Sequence, residues 1–215
     1  MKKYFALARK NQIGCPVGYI NWVLYDKYYP LKEAKKIQHG YYPWYAENRE
    51  SKIDNFPENI HLIYNGGEVD FDIRAEPGNY FIVISKNALE VINKFSIQFD
   101  DIREVVICDA NGQKTSNKEY CVARLTPITA EEVDSGSSEF IKNEYGRITK
   151  IRKISFSPQF DCDLFRIKGM LGGSQTLICS EELKNELELA NADNGINFVD
   201  LSSFSCSTFW NFEAI

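Results

Sequence analysis

At 215 residues, 44% hydrophobic and 26% charged, the chain has the composition of an ordinary globular protein and is long enough to bury a substantial core. A net charge of −5, with acidic residues spread throughout, argues against nonspecific nucleic-acid binding, which needs a basic footprint. No window approaches the roughly 18 uninterrupted apolar residues of a membrane span, and none of the six cysteines sits in a CxxC pair, so they read as free buried thiols rather than a zinc or thioredoxin-like motif.

The start, MKKYFALARK, holds only a five-residue apolar run at 4–8, too short for the h-region of a secretory signal, so a cytoplasmic location is expected. Residues 1–78 form an aromatic, turn-rich part. LKEAKKI at 31–37 suits a short helix, and YYPWYAE at 41–47 gathers four aromatics around a proline. Asn65-Gly66, between IHLIY and EVDFDI, reads as a hairpin turn because both residues tolerate positive φ. Val69, Phe71 and Ile73 alternate with Asp70, Asp72 and Arg74, the period-two pattern of a half-buried strand.

From residue 79 onward a pattern occurs twice. In YFIVISKNALEVINKFSIQFDDIREVVICD an apolar strand ends at Ser85, placed to cap a helix. Ala88, Leu89, Ile92 and Phe95 share one face of that helix, and Val105–Cys108 closes the unit. In QTLICSEELKNELELANADNGINFVDL, 176–179 is the strand, Ser180 the cap and Leu183, Leu187 and Ala190 the stripe. Asn194-Gly195 is the expected helix stop, and 196–201 the closing strand. The two serines are 95 residues apart. Such short helices are marginal alone, so each needs a sheet beneath it. Between the units, EYCVARL reads as a strand, TPITAEEVDSGSSEFIKNEYGRI as a polar stretch with Ser135-Gly136-Ser137-Ser138 as a loop, and KIRKISFS and LFRIKGM as a strand pair with Phe165 and Ile167 inward, Arg166 and Lys168 outward. GMLGGSQ reads as a tight hairpin, since it lacks the lysine and spacing of a phosphate loop. The expected fold is α+β: mixed β-sheets, two recurring strand–helix–strand units and few short helices, the second part (79–215) packing with the first as one body.

Little in the sequence points to catalysis. His39 and His61 have no metal-ligand spacing, and Cys162 lies between Asp161 and Asp163, carboxylates that raise a thiol's pKa. No cofactor, no metal and no catalytic residue are expected. Two surfaces suit a protein partner: the aromatic stretch, with Tyr41, Tyr42, Trp44 and Tyr45 as anchors, and the acidic loop, with Glu131, Glu132, Asp134 and Glu139.

Residues 80–204 carry a further signal. The order is a basic strand (KIRKISFS), a DLFRIKG strand, an apolar strand ending in Ser-Glu-Glu-Leu, a helix, then Gly-Ile-Asn-Phe, preceded by ITAEEVDSGSSEF. It resembles the bacterial polymorphic-toxin immunity proteins of the families called immunity protein 43 and immunity protein 11. The resemblance implies a non-enzymatic protein that binds a cognate toxin and blocks it, and it fixes no toxin-contacting residue. Two other readings stand beside it: a hydrolase pairing His61 or His39 with a carboxylate, and a small-molecule or glycan-binding module using the aromatic stretch as a stacking platform.

Overall fold

The computed structural model describes residues 2–16, 22–25, 27–29, 55–64, 66–75, 81–95, 97–129, 132, 136–158, 160–168 and 176–204. In chain order the strands are β1 (Tyr4–Arg9), β2 (Trp22–Tyr25), β3 (Ile60–Tyr64), β4 (Ile73–Ala75), β5 (Ile82–Ser85), β6 (Asp101–Cys108), β7 (Tyr120–Arg124), β8 (Glu139–Lys142), β9 (Ile148–Lys153), β10 (Leu164–Arg166), β11 (Leu177–Ser180) and β12 (Ile196–Asp200). Two helices, α1 (Lys86–Ile92) and α2 (Glu181–Leu189), follow β5 and β11. The fold is α+β, mostly strands, with mixed sheets and few helices.

A six-stranded sheet runs β2-β3-β6-β7-β5-β4, a four-stranded sheet runs β10-β11-β1-β12, and β8 and β9 form a separate hairpin. Within the larger sheet only the β3–β6 pair is parallel. The two strand–helix–strand units expected from the sequence sit in different sheets, and they match pair by pair. β5 and β6 both run antiparallel to β7, which lies between them. β11 and β12 both run antiparallel to β1, which lies between them. An outer antiparallel strand flanks the opening strand of each unit, β4 beside β5 and β10 beside β11.

The registers agree residue by residue. Ser85 faces Tyr120 as Ser180 faces Tyr4. Ile73 faces Ile84 as Leu164 faces Cys179. The amide of Ser85 donates to the Asp72 carbonyl (2.7 Å), and the amide of Ser180 to the Asp163 carbonyl (3.0 Å). The recurrence is therefore a true structural repeat with its connections rotated. The middle strand comes last in the first unit, as β7, and at the opposite end of the chain in the second, as β1.

Each helix starts where the sequence places its cap. Ser85 Oγ accepts from the Ala88 amide at 3.1 Å, and Ser180 Oγ from the Leu183 amide at 3.2 Å. Glu181 and Glu182 occupy the positive end of α2. Ala88, Val91 and Ile92 of α1 and Leu183 and Leu187 of α2 are buried in one core shared by both sheets, with Ile82, Ile84 and Ala123 from one and Phe5, Leu7, Leu177 and Cys179 from the other. Burying Leu183 and Leu187 contributes about 1.5–3 kcal/mol each, which is what holds a nine-residue helix that would be marginal in water. The opposite faces are covered too. Leu24, Leu62, Val83, Val105 and Val122 fill a second core behind the larger sheet. Tyr4, Ala6, Phe165 and Ile178 fill a third, against the β8–β9 hairpin.

A buried junction locks the units together. Asp72, fully shielded from solvent, accepts from Ser85 Oγ (2.6 Å), the Asn194 amide (2.8 Å) and Lys118 Nζ (3.0 Å). Two turns press against this segment. A Cβ on Gly14 would lie 2.7 Å from Asp70 Cβ, and one on Gly195 would lie 3.0 Å from Cys15 Cβ and Sγ, so both turns need glycine where the backbones meet.

Several local expectations are corrected. Asn65-Gly66 does not close a hairpin: β3 pairs with β2 and β6, and the chain after it crosses to the far edge as β4. Asp72 and Arg74 do not face water, because their segment is covered on both sides. Arg166 is buried as well, its guanidinium donating to the Leu125 carbonyl, and burial lowers its pKa to about 10, which leaves it cationic at neutral pH. β9 pairs with β8, a strand that follows the predicted Ser135–Ser138 loop within the stretch read only as polar, and not with β10. α2 stops at Leu189 rather than at Asn194-Gly195. Asn191 takes the left-handed position (φ 51°), with the Ala192 amide on the Leu187 carbonyl and the Asn191 amide on the Glu188 carbonyl, a Schellman arrangement. The expected helix at 31–37 and the turn at 169–175 lie outside the described residues.

Candidate interaction face

Of the anticipated contact residues, Glu132 and Glu139 are described and both are exposed. Glu132 folds back on its own turn, its carboxylate accepting from the Thr129 amide at 2.5 Å. Glu139 opens β8 opposite Lys153. Tyr41, Tyr42, Trp44, Tyr45, Glu131 and Asp134 lie outside the described residues.

The acidic loop leads directly into the β8–β9 hairpin, a feature the sequence reading missed. Asn143 builds its turn: the Asn143 Oδ1 accepts from the amides of Tyr145 and Arg147, both at 3.0 Å, and the Asn143 amide donates to the Arg147 carbonyl at 2.9 Å. Ile148 and Ile151 point inward and are buried, while Lys150, Arg152 and Lys153 are exposed. The chain beyond β9 continues the anchorage. Phe156 stacks on Phe160 (centroids 4.8 Å apart) and lies 4.4 Å from Tyr4, with Phe165 edge-on to both phenylalanines. The hairpin is thus fastened by its inner face and bare on its outer one. The sequence signal was present: two isoleucines three apart, with basic residues interleaved, after an Asn-Glu-Tyr-Gly turn.

A concavity of about 290 Å³ is lined by β3 and β6 of the larger sheet and by the residues leading into β7. Lys86 crosses its wall, held by Glu104 and Glu119 at 2.9 Å each, and Lys114, Lys118 and His61 share the lining. The His61 ring contacts the Asn59 carbonyl through Nδ1 at 3.0 Å, and among the described residues it forms no ion pair with a carboxylate. His39 lies outside them. The groove therefore holds a histidine without the partner that a histidine–carboxylate base requires.

The thiols among the described residues are all shifted upward in pKa. Cys15 is pushed up to about 11, mainly by burial, and burial likewise raises Cys108, Cys121 and Cys179. Cys162 is raised too. Burial is the larger cause and the flanking carboxylates expected from the sequence a smaller one. Among the described residues no group of three or more His, Cys, Asp or Glu side chains is arranged to hold a metal, and no helix is long and apolar enough to cross a membrane.

The immunity protein 43 profile matches residues 8–212, nearly the whole chain. The chain belongs to the immunity protein 43 family. Of the two families the sequence resembles, the match settles this one, and it takes in the aromatic first part as well as the two repeated units. No curated protein sequence matches the chain. Membership in an immunity family places the chain among proteins that are typically non-enzymatic binders and implies a cognate toxin as partner.

Proposed function

We infer that this immunity-family protein neutralises a cognate bacterial polymorphic toxin by binding it stoichiometrically and covering its working surface. The family match over residues 8–212 carries this reading. The described residues support it: the thiols are withheld by burial, His61 has no carboxylate partner, and a rigidly backed hairpin stands out beside an acidic loop. The binding takes place in the cytoplasm of the cell that makes both proteins. Tyr41, Tyr42, Trp44 and Tyr45 serve as aromatic anchors, and Glu131, Glu132, Asp134 and Glu139 as a charged rim around them.

The test is a titration of the toxin domain encoded beside this chain, followed by calorimetry and by the toxin's own activity. The expected result is saturation at one immunity protein per toxin, with activity falling in step. Toxin activity that declines catalytically at substoichiometric protein, or that never declines, would overturn the reading. Trp44→Ala should weaken the complex at least tenfold if the aromatic stretch lies at the centre of the contact.

A further inference from the structure

We propose that the outer face of the β8–β9 hairpin is a docking surface for an acidic patch on the toxin, with Tyr145 as its apolar anchor; this rests on the binding role inferred above. Residues 139–153 hold five basic and two acidic side chains, a net charge of +3 in a chain whose total is −5. The remainder of the molecule is therefore more acidic than its total suggests. Residues 1–10 are basic too, but there Lys2 and Lys3 are paired with Asp161, Asp163 and Asp200, whereas the basic side chains of the hairpin stay unpaired among the described residues. Lys142, Arg147, Lys150, Arg152 and Lys153 are all exposed, and none forms an ion pair among the described residues. Elsewhere Lys86, Lys94, Lys118 and Lys184 each hold a carboxylate at 3.4 Å or less, while Lys10, Lys114 and Lys168 stand as isolated exposed cations; the hairpin differs in gathering five unpaired cations within 15 residues.

The hairpin also concentrates exposed apolar surface. Tyr145, at the tip, is 77% exposed, and Ile141, opposite Lys150 in register, is 37% exposed. A large exposed aromatic on a hairpin with exposed cations matches the composition of a protein-binding spot: tyrosine and arginine supply anchors, and the accompanying charge speeds encounter and fixes orientation. Inner-face burial of Ile148 and Ile151 and the Phe156–Phe160–Phe165 cluster keep this surface in one shape, so little ordering is lost on docking. The partner chemistry follows from the charge. Carboxylates on a protein fit better than nucleic-acid phosphates, because Glu139 and Glu144 lie within the same 15 residues and the rest of the molecule would repel a polyanion.

The experiment compares wild type, the charge reversal K150E/R152E/K153E and Tyr145→Ala in surface-plasmon binding to the same toxin domain at 50 and 500 mM salt. All three altered side chains of the reversal are exposed, and unchanged urea midpoints would verify its folding; the charge-neutral K150Q/R152Q/K153Q provides a second version. We expect the reversal to slow association by about tenfold to a hundredfold at low salt, with the difference shrinking at high salt. Tyr145→Ala should speed dissociation about tenfold or more. Wild-type binding that neither charge variant nor Tyr145→Ala alters would overturn the hairpin proposal while leaving the binding role intact. No wild-type binding would overturn both. Retention of a random duplex by wild type, lost in the charge reversal, would replace the protein partner with a nucleic acid.

Discussion

The two β–α–β units share strand order, register, capping serine and the aspartate before the outer strand, yet they satisfy their polar groups differently. In the first, Asp72 is fully buried and holds Ser85, Lys118 and the Asn194 amide. In the second, Asp163 is partly exposed and its carboxylate meets Lys2 at 3.2 Å. Tyr120, in the middle strand of the first, donates to the Phe71 carbonyl at 2.8 Å. Tyr4, its counterpart, buries a hydroxyl with no partner among the described residues, and burial raises its pKa to about 12. The difference shows where the molecule is cross-braced. Asp72 reaches from one unit into the turn that precedes the closing strand of the other, and Asp163 stays within its own.

This contrast can be broken by substitution. The largest effect belongs to Asp72→Ala, which removes the buried acceptor of the Ser85 hydroxyl, the Asn194 amide and Lys118, leaving Lys118 only its contacts with Asp70. It should cost about 3–5 kcal/mol in urea unfolding, against about 1 kcal/mol or less for Asp163→Ala. Equal losses would mean that the link to Asn194 adds nothing. The caps come next. Ser180→Ala should cost about 1 kcal/mol, the ordinary loss of a helix cap, and Ser85→Ala about 2 kcal/mol, because its hydroxyl also donates to Asp72. The tyrosines should differ in sign. Tyr120→Phe loses about 1 kcal/mol with its hydrogen bond, whereas Tyr4→Phe should be neutral or stabilising, because the hydroxyl it removes is desolvated without return.

The smallest effect is one of pH. Asp200 in β12 is held below the usual carboxylate range by the hydroxyl and amide of Ser202 and, more weakly, by Lys3. A carboxyl depressed on folding stabilises the native state above its unfolded pKa and loses that contribution as pH falls through the folded value. Asp200→Asn should therefore lower the urea midpoint slightly at pH 7, with the difference shrinking as the pH falls below the ordinary carboxylate range of roughly 4 toward the depressed folded value. A deficit that does not shrink at all on acidification would assign the effect to packing.

Local chemistry made the repeated units legible. A serine after an apolar run, then leucines at helical spacing, marked both caps and both stripes, and Ser85, Ser180, Leu183 and Leu187 stand where that pattern puts them. The middle strands were not legible as partners. Nothing near YFALAR signals that its neighbours lie at 178–180 and 196–200, since pairing over that distance is decided by which sheet has a vacant centre. The period-two reading misplaced Asp72, Arg74 and Arg166 because it assumes one wet face, and these sheets are covered on both. The Asn65-Gly66 signal was sound turn chemistry without a partner strand to close against. For the contact face, composition found the acidic loop, but β8 is four residues long and mostly exposed, too weak an apolar pattern to stand out.

The position of β1 bears on how the molecule is made. A ribosome releases the centre of the four-stranded sheet first and both of its flanking strands last, so β1 must wait unpaired while the first unit, complete by Arg124, closes on its own. The hairpin rests on that late-closing sheet. The backing of the hairpin is thus complete only once Asp200 has emerged, so every copy under synthesis passes through an interval in which its first sheet is closed and its second still open.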